Sequence, residues 1–272
     1  MKLKDYVTMG NLLCGFLSVI MIIRGNFVWA CLLIFIGYVF DVSDGWVARL
    51  TNQYDKFGGE FDAMCDYVTN SISPSFILYY FFLHFGHFHW VAAAVVGAFP
   101  ITLGTIRHAR GYTKPLSYPC YWLGLPRPVY TLCIIAFLHS SVFLELAARW
   151  HWPSYITLAV VVASLSFLHL SYVPFVNHHK RRWRGMLNFG WRIFAGTPIA
   201  WVVGYLLFGT HDLLFDYLTF CLFIYLFVAW TQIPNEDILR IRHFVSTGEL
   251  IEPLVHANDT WEPASWAPKW EH

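Results

Sequence analysis

Apolar segments about as long as a membrane-spanning helix recur along nearly the whole chain, and they constrain its fold more than any other feature. A helix needs about 20 mostly apolar residues to cross the hydrocarbon core of a bilayer. Eight segments approach or exceed that length, with glycine and proline at the breaks between them: 8–24, 27–50, 59–83, 88–107, 127–147, 153–176, 190–209 and 212–233. The sequence therefore predicts an all-α integral membrane protein with about eight transmembrane helices.

The composition excludes several other classes of protein. Of the 272 residues, 57% are hydrophobic and 13% are charged, whereas about 25% of residues are charged in a typical soluble domain. A chain this apolar does not stay solvated as a disordered polymer. Because the net charge is only +1 and no basic stripe stands out, we do not expect the protein to bind nucleic acid. The apolar composition instead indicates that the lipid bilayer is its partner.

The distribution of lysine and arginine indicates the orientation of the spans. If the N-terminus is cytoplasmic, 16 of the 18 basic residues fall on the cytoplasmic side, and only Arg24 and Arg149 fall outside. Basic residues concentrate in the cytoplasmic loops of membrane proteins. We therefore expect both termini in the cytoplasm, a transmembrane domain over residues 1–235 and a cytoplasmic C-terminal tail over residues 236–272.

Four aspartates stand at the edges of the second and third predicted spans. At about 100° per helical residue, one face of the second span carries Asp41, Asp44, Gly45 and Ala48. One face of the third span carries Gly58, Asp62 and Asp66. A short connection makes the two helices antiparallel neighbours, so the four carboxylates converge at the predicted cytoplasmic edge of the membrane.

This convergence predicts a site for divalent cations. Carboxylates within a membrane are costly unless they are paired or bind a cation, and oxygen ligands favour Mg²⁺, Mn²⁺ or Ca²⁺. The small residues on the same faces let a large ligand approach, which suits a diphosphate with an apolar tail. Helix capping is the alternative, but it does not account for Asp62 and Asp66, which lie one and two turns inside the third span.

The same residues form a pattern, Asp-x2-Asp-Gly-x2-Ala-Arg-x8-Gly-x3-Asp-x3-Asp, that resembles the signature of the CDP-alcohol phosphotransferase family. All eight fixed positions match: Asp41, Asp44, Gly45, Ala48, Arg49, Gly58, Asp62 and Asp66. The resemblance implies a six-helix transmembrane core that is catalytic, usually in a homodimer. It also implies transfer of a phosphatidyl or phospho-alcohol group from a CDP-linked donor to a hydroxyl, with release of CMP.

The resemblance also assigns roles to individual residues. It implies one or two divalent ions, Mg²⁺ or Mn²⁺, held by the four aspartates, with Asp66 as the general base. The predicted donor-binding residues are Asp44, Gly45, Ala48, Arg49, Gly58 and Asn11. Among them, Arg49 is suited to a phosphate oxygen, and Gly45 and Ala48 leave room for the cytidine.

Shorter matches are similar to the phosphatidylserine synthase branch of this family. They are Thr8-x2-Asn11-x3-Gly15, Pro74 eight residues after Asp66, the pair Arg107 and Arg110, and Gly124-Leu125-Pro126-Arg127-Pro128. The chain has Asn70-Ser71 where the branch has Phe-Gly, and Gly111-Tyr112 where it has Phe-Asn. This similarity predicts CDP-diacylglycerol as donor and L-serine as acceptor. Arg107 and Arg110 then bind the serine carboxylate or a lipid phosphate, or else they only anchor the cytoplasmic end of the span.

Several alternatives stay open at this level. Choline, inositol or glycerol 3-phosphate would replace serine in the same reaction, and a prenyltransferase would need a second aspartate-rich motif that the sequence lacks. A non-catalytic membrane transporter or scaffold is the alternative from another class. His84, His87 and His89 are read as interfacial residues rather than metal ligands. The expected location is a bacterial inner membrane, with the active site on the cytoplasmic side.

Overall fold

The computed structural model describes residues 2–51, 56–113, 117–118, 121–177, 194–228, 231 and 233–248. Eleven α-helices are found in these ranges: α1 Leu3–Ile23, α2 Phe27–Thr51, α3 Lys56–Tyr67, α4 Ser73–His84, α5 Trp90–Thr113, α6 Arg127–His139, α7 Ser141–Arg149, α8 His151–Leu168, α9 Thr197–Phe208, α10 Asp212–Phe223 and α11 Asn235–Thr247. Two π-helical turns, Val68–Ile72 and Ile224–Val228, follow α3 and α10. Three short strands complete the elements: β1 Ser117–Tyr118, β2 Tyr121–Leu123 and β3 Pro174–Val176.

Several helices have the length and hydropathy needed to cross a membrane. Within the described ranges these are α1, α2 as far as Ala48, α5 as far as Gly111, and α8, and a fifth span results if the bent pair α6 and α7 counts as one. The protein is therefore an integral membrane protein with four or five spans by this criterion. The larger number of eight stays a prediction.

Helix α1 buries its small and polar side chains and exposes its large apolar ones. Thr8, Asn11 and Ser18 are buried, whereas Leu13 and Phe16 are more than half exposed. This arrangement is typical of a membrane protein, where helix contacts rely on close packing and hydrogen bonds and lipid covers the apolar surface. Helix α1 packs against α2, α3 and the first π-turn, so its polar face points toward the elements that carry the aspartates.

The third predicted span, 59–83, corresponds to the continuous helical run of α3, the first π-turn and α4. The π-turn lies just after Asp66, and the Ser73 hydroxyl donates to the carbonyl oxygens of Val68 and Gly15, both at 2.9 Å. Pro74 lacks a backbone donor and so leaves one carbonyl of the preceding turn without its helical partner. A π-turn inside a longer helix is a local distortion that is often found at functional sites.

The fifth predicted span, 127–147, is two helices rather than one. Helices α6 and α7 meet at an angle of 50° because Ser140 takes an extended conformation and its hydroxyl accepts from Phe143 N. Asp216 of α10 adds a second constraint, since its carboxylate accepts from the Ser141 amide at 2.7 Å and the Ser141 hydroxyl at 2.6 Å. The bend is therefore stabilised by capping interactions that hydropathy does not detect.

A small antiparallel sheet, in the order β1-β2-β3, was not part of the predicted all-α fold. Leu123 pairs with Pro174 and Tyr121 with Val176, so the sixth predicted span, 153–176, ends as a helix at Leu168 and finishes in a strand. The sheet forms because the segments that follow α5 and α8 lie side by side and pair their backbone groups.

Helix α11 packs on this sheet, so the first part of the predicted tail is ordered. Ile241 and Phe244 join Tyr118, Tyr121 and Val176 in a core separate from the main one. The Tyr121 hydroxyl donates to Asp237 Oδ2 at 2.5 Å. The rest of the predicted tail, residues 249–272, lies outside the described residues.

Candidate active site

Three of the four predicted aspartates form a compact group. Asp41 on α2 and Asp62 and Asp66 on α3 each offer one carboxylate oxygen, and these atoms all lie within 4.8 Å of one another. They come together because α2 and α3 are connected by a short segment and both pack against α1. Within the described ranges, this is the one group of three or more acidic, histidine or cysteine side chains close enough to hold a metal ion.

The group is chemically suited to a divalent cation. Three carboxylate oxygens are a donor set that Mg²⁺ and Mn²⁺ favour. Asp62 Oδ1 is buried and has no hydrogen-bond partner among the described residues. Because a buried carboxylate oxygen without a partner is costly, a bound cation would satisfy it, and the residues present therefore fit the predicted metal.

Asp44 lies beside this group and is already engaged. Its side chain is only 8% exposed, and its Oδ2 accepts a hydrogen bond from the Thr8 hydroxyl at 2.5 Å. Electrostatic repulsion from Asp62 acts on it, so it belongs to the same acidic surface. The structure therefore brings three carboxylates together and places the fourth next to them, in contact with α1.

Two amide side chains hold Asp66. Asn11 Nδ2 donates to Asp66 Oδ1 at 3.1 Å, and Asn70 Nδ2 donates to the same oxygen at 3.3 Å. Both hydrogen bonds restrict the rotation of the Asp66 carboxylate, and neither of them involves its Oδ2. Asn11 was predicted to bind the donor, whereas Asn70 was not singled out as a site residue.

Asn70 is itself fixed by the neighbouring helix α6. It lies in the first π-turn with a buried side chain, and its carbonyl accepts from the Thr131 hydroxyl at 3.1 Å. The only sequence signal was that Asn70 departs from the branch pattern, which has phenylalanine there. A departure from the pattern close to Asp66, the predicted base, is the kind of signal that could have identified it.

The remaining predicted donor-binding residues line the faces that carry the aspartates. Ala48 and Gly58 are buried and Gly45 is half-buried, so small residues do stand beside the acidic group. The side chain of Arg49 lies outside what the structure describes. Their contacts with a CDP-linked donor stay a prediction.

The predicted acceptor-binding arginines at the end of α5 hold backbone carbonyls. Arg107 Nη1 donates to Leu123 O at 2.9 Å and to His169 O at 2.8 Å. Arg110 Nη1 donates to Leu170 O at 2.5 Å, and its guanidinium lies 4.0 Å from the centre of the Tyr172 ring. These contacts tie α5 to the segments around β2 and β3.

Gly124 makes the close approach of Arg107 possible. It has a φ of +76°, and a Cβ at this position would lie 2.7 Å from Arg107 Nη1 and 2.8 Å from His169 O. The Gly-Leu-Pro stretch is thus shaped to receive the buried guanidinium of Arg107. Whether Arg107 and Arg110 also contact the acceptor stays a prediction.

Arg127 is a further basic residue of the site that the sequence analysis did not single out. It is the first residue of α6, and its positive charge acts on the carboxylates of Asp62 and Asp66. The signal in the sequence was present but unspecific, since Arg127 occupies a variable position of the Gly-Leu-Pro-x-Pro stretch.

The three histidines of the predicted outer loop make aromatic contacts. His84 lies against Tyr80 with ring centroids 4.2 Å apart, and His87 stacks on His151 at 5.5 Å. His89 is next to Trp90. Each of the three histidines thus lies beside another ring, and their position at the membrane interface stays a prediction.

Comparison with known proteins shows which family the chain belongs to. Residues 1–165 match the model of the CDP-alcohol phosphatidyltransferase family. The chain is 30% identical over 166 residues to an archaetidylserine synthase of Methanothermobacter thermautotrophicus, covering 60% of this chain and 67% of the relative. It is 31% identical over 180 residues to a CDP-diacylglycerol--serine O-phosphatidyltransferase of Helicobacter pylori, covering 65% and 72%.

A protein of the same name from Bacillus subtilis is 27% identical over 176 residues, covering 64% of this chain and 89% of the relative. The family match covers more than half of the chain and contains all eight residues of the aspartate pattern. The resemblance seen in the sequence is therefore confirmed: the chain belongs to the CDP-alcohol phosphatidyltransferase family.

Proposed function

We propose that this protein transfers the phosphatidyl group of CDP-diacylglycerol to the hydroxyl of L-serine, giving phosphatidylserine and CMP. The observation that carries the proposal is the group of three carboxylate oxygens within 4.8 Å at the junction of α2 and α3. The serine acceptor is supported by the relatives, several of which are named for serine transfer.

The reaction is a displacement at phosphorus. The serine hydroxyl oxygen forms a bond to the phosphorus that carries the diacylglycerol, and the bond from that phosphorus to the bridging oxygen breaks. The electron pair leaves with CMP, and the hydroxyl proton passes to the Asp66 carboxylate as general base. Bound divalent ions would neutralise the charge that develops on the diphosphate oxygens.

The residues around Asp66 support its role as base. Asn11 and Asn70 both donate to its Oδ1, so the carboxylate has a fixed orientation before substrate binds. Asp41 and Asp62 are the proposed metal ligands together with Asp66, and Asp44, hydrogen-bonded to Thr8, completes the acidic surface toward the donor. The small residues Gly45, Ala48 and Gly58 leave the space that the nucleotide requires.

Charge favours serine over the other acceptors. The ammonium group of serine suits a cavity lined by aspartates, and its carboxylate requires a cation, which arginines near the site supply. Inositol carries no charge and makes no use of them. Glycerol 3-phosphate would favour a denser basic pocket, and choline an aromatic cage without arginine.

We further propose eight transmembrane helices, with both termini and the active site on the cytoplasmic side of a bacterial inner membrane. The excess of basic residues in the loops of that side supports this topology. Residues 1–235 would form the transmembrane catalytic domain, acting as a homodimer as the family resemblance implies.

An acceptor panel tests the proposed function. Purified protein with CDP-diacylglycerol and Mn²⁺ is given serine, glycerol 3-phosphate, inositol or choline, and both CMP release and the lipid product are measured. We expect phosphatidylserine to be the main product. Product from another alcohol but not from serine would contradict the acceptor, and absence of CMP release with every acceptor would favour a transporter or scaffold.

A further inference from the structure

The guanidinium of Arg127 contains a buried donor whose role the fold does not explain. Its Nη1 is buried and has no hydrogen-bond partner among the described residues. Arginine is permanently charged and offers five N–H donors. Because a buried charged donor without a partner is costly, such a residue is typical of a site that a ligand completes.

The charge of Arg127 acts both on the acidic group and on another arginine. Its charge attracts the carboxylates of Asp62 and Asp66. It also acts, as a like charge, on Arg107. Its charge therefore acts on the same carboxylate to which the proposed function assigns the acceptor hydroxyl.

The start of α6 fixes this position. Pro126 caps the helix in an extended conformation and Pro128 follows at its second position, so the backbone around Arg127 has little freedom. One turn later, the Thr131 hydroxyl donates to the carbonyl of Asn70 at 3.1 Å. Arg127 lies four residues before Thr131, and Asp66 lies four residues before Asn70. This placement agrees with the electrostatic interaction between Arg127 and Asp66.

Arg107 and Arg110 already make contacts that hold the fold together. Two backbone carbonyls already accept from Arg107 Nη1. One carbonyl and the Tyr172 ring hold Arg110. Arg127 Nη1 makes no such contact within the described ranges, and a planar guanidinium matches the two oxygens of a carboxylate.

We propose that Arg127 binds the anionic group of the acceptor, which under the proposed function is the serine carboxylate. The inference rests on that function, because serine has its carboxylate only a few bonds from the reacting hydroxyl. With the hydroxyl at Asp66 and the carboxylate at Arg127, the nucleophile is aligned by two contacts of opposite charge. Arg127 thus determines which acceptor is used rather than how tightly the donor binds.

The test compares Arg127→Gln with the wild-type protein and with Arg149→Gln. Arg149 is an exposed arginine on α7 that pairs with Glu145, so its variant is a matched control outside the site. The KM for serine, the KM for CDP-diacylglycerol and the rate with serinol, in which a hydroxymethyl group replaces the carboxylate, are measured for each. We expect Arg127→Gln to raise the serine KM by about 10- to 100-fold, the scale of a lost hydrogen bond to a charged group.

The other two quantities separate acceptor binding from a general defect. The KM for CDP-diacylglycerol and the rate with serinol should change much less than the serine KM, since neither involves the acceptor carboxylate. Arg127→Lys keeps the charge without the planar fork, and we expect an intermediate serine KM. An equal rise of both KM values, or an unchanged serine KM in a folded Arg127→Lys or Arg127→Gln protein, would overturn the proposal.

The acceptor panel distinguishes failure of this inference from failure of the serine proposal. If glycerol 3-phosphate is the acceptor and Arg127→Gln raises its KM selectively, the serine proposal fails and the role of Arg127 is supported. If choline or inositol is the acceptor, there is no acceptor anion and both proposals fail. If serine is used normally by Arg127→Gln, only the role of Arg127 fails.

Discussion

The two aspartates at the end of α3 have different expected roles, which single substitutions should separate. Asp66→Asn removes the proposed base but keeps an oxygen ligand, so we expect the turnover rate to fall by about 100-fold or more while CDP-diacylglycerol binding is largely retained. Asp62→Asn weakens the site that binds metal, so it should reduce Mn²⁺ binding and donor binding together.

Mn²⁺ binding followed by electron paramagnetic resonance and turnover followed by CMP release are the two measurements. Chelation of the metal should abolish turnover of the wild-type protein, and Mg²⁺ or Mn²⁺ should restore it. Near-normal turnover of Asp66→Asn would remove the base assignment, and full activity in excess chelator would refute the metal site.

Asn70 should act through Asp66 rather than on the substrates. Asn70→Ala removes one of two amide donors to Oδ1, and a single hydrogen bond of this kind contributes about 1 kcal/mol. We therefore expect the turnover rate to fall by about fivefold, with little change in the KM for either substrate. Asn26→Ala, at an exposed asparagine before α2, is the matched control, and a Asn70→Ala protein whose KM values change while its rate does not would contradict the role.

Among the individual residues of the site, the acidic group could be predicted from the sequence, but not all of its neighbours. The grouping of Asp41, Asp62 and Asp66 could be predicted because it depends only on helical spacing within two helices that a short segment joins. The roles of Asn70 and Arg127 depend on which helices pack together. Thr131 of α6 holds Asn70, and the charge of Arg127, at the start of α6, acts on Asp62 of α3. No local pattern encodes that packing.

Among the elements, α11 should depend on its buried contact with the sheet. Asp237 is 3% exposed and accepts from the Tyr121 hydroxyl, so Asp237→Ala removes a buried hydrogen bond to a carboxylate. We expect a loss of about 1–3 kcal/mol in the stability of this contact. Limited proteolysis of the purified protein should then cleave near α11 faster than in the wild type.

Glu236→Ala is the control for that experiment. Glu236 is the adjacent acidic residue in the first turn of α11, but it is exposed, so its loss should change the cleavage rate little. Equal cleavage of the Asp237→Ala and wild-type proteins would show that the Tyr121–Asp237 contact does not hold α11.

The predicted and observed elements differ where hydrogen bonds, rather than hydropathy, determine the structure. Hydropathy describes how apolar a segment is, and it located the continuous run from α3 to α4. It does not describe capping, so the bend at Ser140, where Asp216 holds the start of α7, was missed. It also does not describe strand pairing, so the segment 174–176 was assigned to a span although its backbone pairs with β2.

For the molecule as a whole, the proposed topology places the loop around residue 210 outside and α11 inside. The sequence led to this arrangement through the eight apolar segments, which gave the number of spans, and the basic residues, which gave their orientation. The criterion of helix length and hydropathy, applied to the described residues, reaches four or five spans. Thr210 and Ser246 are both exposed in the structure, and they lie on opposite sides of the last proposed span. Cysteine introduced at either position should therefore report the side of the membrane directly.

Thr210→Cys should react with a membrane-impermeant maleimide in intact cells, because the proposed topology places it outside. Ser246→Cys should react only after the membrane is permeabilised. Reaction of the protein without either substitution provides the background. Of its six cysteines, the five that the structure describes, Cys14, Cys31, Cys65, Cys133 and Cys221, are buried, and the sixth is removed by Cys120→Ser in every protein tested. Reaction of both introduced cysteines from the same side would mean that the last proposed span, 212–233, does not cross the membrane. A reversed pattern would place the aspartates on the outer face and contradict the proposed orientation.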